Sequence, residues 1–269
     1  MQVAAVVLLH NEDVFAERVI RNVVGFCDRI HVADHMSTDG TWEIVSALAR
    51  EFDHVDAVRI SHAARSHDLV QRYVGTHAWV FSPDGDEVFD SAGLHRLRSE
   101  LEEGRYDRYF RLAPAMLHCV ALDRGAGYAT GHLSPPARSG PKLFNFSAID
   151  SWTGVSRERL HEGDVAFRDG WHWDDIRHLG HERGWEENPF RCLHACFLRR
   201  SSREPTSADG GVRLNIGEAN THRRDLLGRL RLARRRPGEA AVTAWKLEKY
   251  VHGPRVTKDV SLFFPEPAQ

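Results

Sequence analysis

Residues 3–9, Val-Ala-Ala-Val-Val-Leu-Leu, are a near-continuous run of β-prone apolar positions, the pattern of a strand covered on both faces. Polar residues His10, Asn11, Glu12 and Asp13 end it. Val14, Phe15, Val19, Ile20, Val23 and Phe26 then recur at helical spacing. Residues 30–34 predict a second strand. The stretch Ser37-Thr38-Asp39-Gly40-Thr41 supplies turn and helix-cap chemistry ahead of a helix carrying Trp42, Ile44, Val45, Leu48 and Phe52. A third strand is expected over 56–60, a third helix over about 64–76, and a fourth strand at Trp79, Val80 and Phe81. Strand and helix thus alternate, which predicts an α/β chain with a doubly wound, mostly parallel sheet. In such sheets ligands bind beyond the carboxyl ends of the strands. His10, Asn11, Glu12, Asp34, Asp39, Asp84 and Asp86 all fall at or just after such ends.

The pattern loosens after Asp90. A helix is expected over 92–103 and strands over 108–112, 116–122 and 141–146, the last holding Lys142 as a lone lysine among arginines. Residues 125–140, rich in Gly, Pro and Ser, read as a long loop. From 161 to 194 the chain is dense in His, Trp and acids. Residues 222–236 form a basic amphipathic pattern, and the tail from Pro254 reads as extended and peripheral.

The fourth strand stops at Pro83 and opens into Asp84-Gly85-Asp86-Glu87. On an extended chain, side chains at i and i+2 share a direction, so Asp84 and Asp86 would converge while Glu87 faces elsewhere. Two convergent carboxylates suit a hard divalent cation that completes its shell with water and substrate phosphates. A solvated acidic turn is the plain alternative, and the position at a sheet rim weighs against it. Cys192-x-His194-x-Cys196 on a strand would face one side as a partial zinc site; with no second Cys pair nearby, buried soft side chains are the reading taken. Trp171, Trp173 and Trp185 suit either stacking on an acceptor or the core.

Composition adds exclusions. Net charge is −2, so no global field points to nucleic acid as a partner. Four cysteines are too few for a disulfide scaffold in 269 residues. The N-terminus lacks the pattern of a secretory leader, and no apolar run approaches the roughly 18–20 residues that span a bilayer. A reduced, cytoplasmic protein is expected. The 222–236 helix is read as a solvated face, with weak contact to an anionic membrane surface as its alternative.

Asn11-Glu12 after the first strand, residues 30–34 followed by Ser37-Thr38-Asp39-Gly40-Thr41, and residues 79–87 together resemble the family 2 glycosyltransferases of the GT-A fold. The resemblance covers about the first ninety residues. Pro83, where the family has an apolar residue, and His35-Met36, where small or polar residues are commoner, depart from it. It implies a GT-A (Rossmann-like) central sheet flanked by helices with a less regular C-terminal half. The glycosyltransferase domain would span 1–220, nucleotide-binding over 1–90 and acceptor-binding over 91–220, with a helical extension and tail over 221–269.

By this resemblance His10, Asn11 and Glu12 lie beside the nucleotide, Asp34 meets the base, and Asp39 sits near ribose and phosphates. Arg65 would contact the diphosphate. Asp84 would be shared between ribose and metal, Asp86 would hold the metal, and His194 would complete it. Asp174-Asp175 resembles the acidic pair that supplies the general base in inverting members. The residues from Arg191 to His194, and Arg199-Arg200-Ser201 after them, resemble a late His followed by Arg-Ser at the metal and phosphate site. The implied activity is sugar transfer from a nucleoside diphosphate sugar to an acceptor, with inversion and with Mn²⁺ or Mg²⁺. The rival classes are a nucleotide-sugar hydrolase, a nucleotidyltransferase, and a non-catalytic binding module. A nucleotidyltransferase would carry a Gly-rich basic loop after its first strand, where this chain has His10-Asn11-Glu12-Asp13.

Overall fold

Strand β1 (Gln2–Leu9) is an interior strand of a seven-stranded sheet in a computed structural model that describes residues 1–154, 158–204 and 249–265. Val3, Ala5, Val7 and Leu9 enter one apolar cluster, while Ala4 and Val6 enter another on the opposite face. That alternation explains why the strand reads as unbroken apolar sequence: both its faces are core. Its parallel neighbours are β2 (Arg29–Asp34) and β4 (Ala78–Phe81), and β3 (Val55–Arg59) follows β2 in parallel. The sheet continues beyond β4 through β9 (Leu143–Asn145), β6 (Arg111–Ala113) and β12 (Ile176–His178). β9 alone runs against the rest. The expected α/β architecture with a mostly parallel central sheet is therefore present.

Among the described residues three helices, α1 (Ala16–Val24), α2 (Thr41–Glu51) and α3 (Ser91–Glu102), flank the strands. Val19, Ile20 and Val23 of α1, Val45 and Leu48 of α2, and Leu94, Leu97 and Leu101 of α3 all enter the first apolar cluster. A second sheet orders β14 (Arg255–Asp259), β8 (Tyr128–Ser134), β7 (Ala115–Asp123), β13 (Arg191–His194) and β5 (Glu87–Phe89). A two-stranded ribbon joins β10 (Ile149–Thr153) to β11 (Asp164–Phe167).

Three expectations change. Residues 63–73 form two 3₁₀ turns instead of a helix, because Ser66 and His67 turn inward to bond the backbone at Arg159. The Gly-rich stretch 125–140 holds a full strand, β8, whose Gly131 lets it approach β7: a Cβ there would sit 2.2 Å from the His118 carbonyl oxygen. The tail from 254 is not peripheral, since β14 pairs with β8 along five residues. The basic pattern at 222–236 and the 220/221 boundary lie outside the described residues. Among the described residues no helix is long and apolar enough to cross a membrane.

Candidate functional site

The chain leaves β1 for α1 through His10, Asn11 and Glu12. Asn11 takes φ 53°, a left-handed conformation that asparagine tolerates better than most residues. Its N–H donates to Ser37 Oγ at 2.9 Å, and its side-chain oxygen accepts from Thr38 N–H at 2.7 Å. The Glu12 N–H donates to Thr41 Oγ1 at 2.8 Å. His10 Nδ1 lies 2.6 Å from the His35 carbonyl. These bonds sew the β1 exit to the β2 exit. Asp34 is fully buried, with Oδ2 accepting from Arg59 at 2.9 Å and Oδ1 from Ser37 N–H at 3.2 Å. Asp39 bonds Thr41 through one oxygen and Ser201 through the other. Burial works to raise its carboxyl, but the Ser201 and Thr41 donors outweigh it and hold the group below its ordinary range.

After β4, Leu8 forms a parallel bridge with Asp84, and the Glu87 N–H donates back to the Asp84 carbonyl at 3.0 Å. Residues 84–87 are thus a turn, and the extended geometry that would send Glu87 away does not apply. Asp84 is held by Lys142 Nζ at 2.7 Å and by Arg159. Lys142 also reaches Glu87 Oε1 at 2.7 Å. Asp86 pairs with Arg200, whose Nη1 lies 3.4 Å from Glu12 Oε1, and His194 Nε2 stands 3.7 Å from Asp86 Oδ2. Arg200 Nε and Nη2 and Arg159 Nε are buried with no hydrogen-bond partner among the described residues. Buried guanidinium N–H groups without acceptors are costly, and an arriving anion would satisfy them.

Charge balance follows from these contacts. Burial works to raise the Asp84 carboxyl, but the Arg159 and Lys142 charges overcome it and hold the carboxyl far below its usual range. Burial, reinforced by Asp84 and Asp86, instead pushes Glu87 up to about 7 despite Lys142. The Glu87 carboxyl ordinarily titrates at 4.5, so between that pH and about 7 the folded chain keeps a proton that the unfolded chain has lost. Stability therefore falls as pH rises through this window, by up to about 3 kcal/mol. Glu87→Gln should flatten that decline, measured by urea unfolding at a series of pH values from 4.5 to 7.5; an unchanged slope would refute the assignment.

Gly85 is required by close approach. A Cβ at this position would lie 2.0 Å from Glu12 Oε2 and 2.3 Å from Leu9 Cδ2. Gly85→Ala should force Glu12 off Arg200, at a cost of roughly 1–3 kcal/mol in stability. If the cluster receives a nucleoside diphosphate, affinity should fall more than about tenfold, a figure that assumes at least 1.4 kcal/mol of lost contact. Calorimetric titration reads this directly, and unaltered affinity in a folded variant would argue against it.

The structure gathers His10, Asn11, Glu12, Asp39, Asp84, Asp86 and His194 around neighbouring strand exits, with Asp34 below them in the β2 turn. It does not bring Arg65 there by any contact: that side chain is two-thirds exposed and pairs with Asp68. Asp174 and Asp175 are placed elsewhere. Ile176 is level with Arg111, which is level in turn with Phe144, Val80 and Ala4. β12 runs in the same sense as β1, so the acidic pair precedes it at the amino ends of the sheet. Asp175 stands about five residues back from Asp84, on the order of 16 Å along the strands, and three strands across. Asp174 is almost fully exposed beside Arg111, and Asp175 accepts from His172 N–H at 2.7 Å. Trp185 is core, stacked on Phe263, and Trp173 packs by Phe110 and Trp152.

Lys142, Arg159 and His118 were not singled out by sequence. Lys142 carried a faint signal as an isolated lysine at the head of a strand. Arg159 carried none.

No protein-family profile matches the chain, and no curated protein does. Among solved structures, it is similar to residues 1–349 of TarS from S. aureus, at 14% identity over 45% of this chain and 36% of that one, with a TM-score of 0.33. The mannosyltransferase PcManGT from Pyrobaculum calidifontis, solved with GDP-Man and Mn²⁺, shares 20% identity over 46% and 36%, with a TM-score of 0.32. The 4-diphosphocytidyl-2C-methyl-D-erythritol synthase from Anaerococcus prevotii shares 11% over 55% and 72%, with a TM-score of 0.36. The match thus spans about a third of the first two proteins. Scores this low fix neither family nor activity.

Proposed function

We propose that the chain is a GT-A-type glycosyltransferase that takes its sugar from a nucleoside diphosphate donor. One observation carries this reading. β1 lies between β2 and β4, so the strand order reverses at the β1–β4 junction, and the cluster of Glu12, Asp84, Asp86, Lys142, Arg159 and Arg200 sits just beyond the carboxyl ends of those two strands. Such a reversal opens the crevice in which doubly wound sheets bind nucleotides. Buried guanidinium N–H groups that find no acceptor there among the described residues suit a diphosphate.

In this reading His10, Asn11, Glu12, Asp34 and Asp39 form the nucleotide side, and the bonds between the β1 and β2 exits hold them rigid before the donor arrives. Arg200, Lys142 and Arg159 meet the negative charge that grows on the leaving diphosphate. Direct attack by an acceptor hydroxyl inverts the anomeric carbon and needs a single base. Asp84 and Asp86 are the hard oxygen donors that Mn²⁺ or Mg²⁺ takes, so the residue types fit such an ion. Both carboxylates are already ion-paired, however, so the ion fits only if the cationic side chains pass to the diphosphate. When bound, it would add charge neutralisation at the same oxygens. His194, facing Asp86 through Nε2, orients that carboxylate.

Calorimetric titration with UDP, GDP, ADP, CDP and dTDP, with and without Mn²⁺, tests the reading. One nucleotide should bind, more tightly with the ion. No binding by any of them overturns the proposal, and affinity indifferent to Mn²⁺ overturns the metal clause. Incubation with the matching nucleotide sugar then separates classes: sugar release to water alone, with no acceptor raising the rate, identifies a hydrolase.

A further inference from the structure

We propose that His118, His194 and Cys196 form a binding site for a borderline-soft divalent cation, with zinc the ion whose ligand preferences they meet. The parallel pairing of β7 with β13 sets His118 directly beside His194. The chain turns just past β13, where Ala195 N–H bonds the Asp86 carbonyl at 2.8 Å and Leu198 N–H bonds the Ala195 carbonyl at 2.9 Å. That turn brings Cys196 back to the pair. All three side chains are buried, and one ligand atom from each lies within 4.8 Å of the others.

The contacts around the two rings leave room for a cation. His118 Nε2 is 3.0 Å from the Arg138 carbonyl oxygen, an acceptor, so Nε2 carries a hydrogen. His194 Nε2 faces the Asp86 carboxylate at 3.7 Å, again an acceptor. In the neutral ring His118 Nδ1 is therefore a lone pair, and it faces His194 Nδ1 at 2.8 Å. A hydrogen on His194 Nδ1 would join the two rings, and a cation between them would serve the same lone pair while also engaging the Cys196 sulfur. Metal-bound histidines characteristically give their other ring N–H to a carbonyl or carboxylate, the arrangement found here on His118. Bonds of about 2.0–2.1 Å to nitrogen and 2.3 Å to sulfur imply tetrahedral edges of roughly 3.3–3.7 Å, so the rings must part by about half an ångström and the thiol must close in. Tyr250 caps the site, its ring 4.5 Å from that of His118 and 5.0 Å from that of His194.

Binding converts the Cys196 thiol to thiolate and releases one proton to solvent, with no change of oxidation state. Three protein ligands leave the fourth position for water. His194 Nε2 faces Asp86 at 3.7 Å, so the ion would fix that ring beside the carboxylate. The site stands independently of the glycosyltransferase reading, because zinc binding needs no nucleotide.

The full chain, stripped with a chelator and dialysed, is titrated with Co²⁺ and then with Zn²⁺. Expected are a thiolate-to-cobalt charge-transfer band, visible bands of tetrahedral cobalt, and displacement by one equivalent of zinc, confirmed by mass-spectrometric metal analysis. Cys196→Ser should abolish the charge-transfer band, and His118→Gln should weaken zinc at least tenfold. Cys119→Ala, altering the neighbouring thiol outside the trio, should retain the band. The wild-type spectrum requires no variant to fold. Absence of the band in folded wild-type chain, or its persistence in Cys196→Ser, overturns the site. So does a nitrogen-15 spectrum showing a shared imidazolium proton that zinc leaves unmoved.

Discussion

Asp86→Asn is expected to slow sugar transfer by about a hundred- to a thousandfold, the usual loss when one preorganised electrostatic group leaves a charge-stabilising site. The substitution keeps shape and a hydrogen-bond acceptor, yet removes the charge that Arg200 faces. Two consequences separate. Arg200 keeps Glu12 at 3.4 Å, so the folded state loses less than the roughly 3–5 kcal/mol typical of a broken buried pair. The released guanidinium is then free to bind diphosphate, so affinity for the bare nucleotide without Mn²⁺ should hold or rise while turnover collapses. Steady-state kinetics on the nucleotide sugar, with calorimetry on the nucleoside diphosphate, reads both. Turnover within about threefold of wild type would remove Asp86 from the mechanism. Equal loss of turnover and of metal-free binding would mean that the cluster had merely come apart.

Much of the first half was legible because β1, β2 and β4 are buried on both faces. An apolar run such as residues 3–9 has few alternative fates, and its polar ends mark the rim where β1, β2 and β4 exit. What sequence could not convey was direction and partnership. Asp174-Asp175 has the composition of a catalytic pair, but only the order β12-β6-β9-β4-β1 with the sense of each pairing shows that it stands at the opposite ends of the strands from Asp84. Lys142 reaches Asp84 because β9 runs antiparallel to β4, with Phe81 opposite Leu143, a pairing 62 residues apart in the chain. β8 was hidden by the small residues it needs: Gly131 reads as loop, yet it is what admits the His118 carbonyl. Spacing groups Cys192, His194 and Cys196. The structure keeps His194 with Cys196 and brings His118 to them in place of Cys192, which only the register of β7 against β13 reveals.

Arg191→Met is expected to destabilise the fold by about 3–5 kcal/mol, on the order of 10 °C in Tm for a chain of this size. Arg191 donates through Nε and Nη2 to Asp90 Oδ2 at 2.9 and 2.8 Å, and Asp90 is wholly buried. Asp90 Oδ1 has no partner among the described residues, so the carboxylate depends heavily on this guanidinium. The same group lies over the Trp185 and Phe263 rings, at 5.7 and 5.5 Å. It thereby ties β13 to the end of β5 and the start of α3. Removing it strands a buried negative charge, which costs far more than the pair contributes. The distinguishing measurement is a double-mutant cycle by urea unfolding. Asp90→Leu alone strands the cation, whereas Asp90→Leu with Arg191→Met leaves two apolar side chains that can pack together. The double variant should be more stable than Arg191→Met alone, because an apolar replacement of a buried ion pair is often neutral or better. Strict additivity of the two losses would show that the charges are not coupled, and that Arg191 acts only through its contact with the two rings.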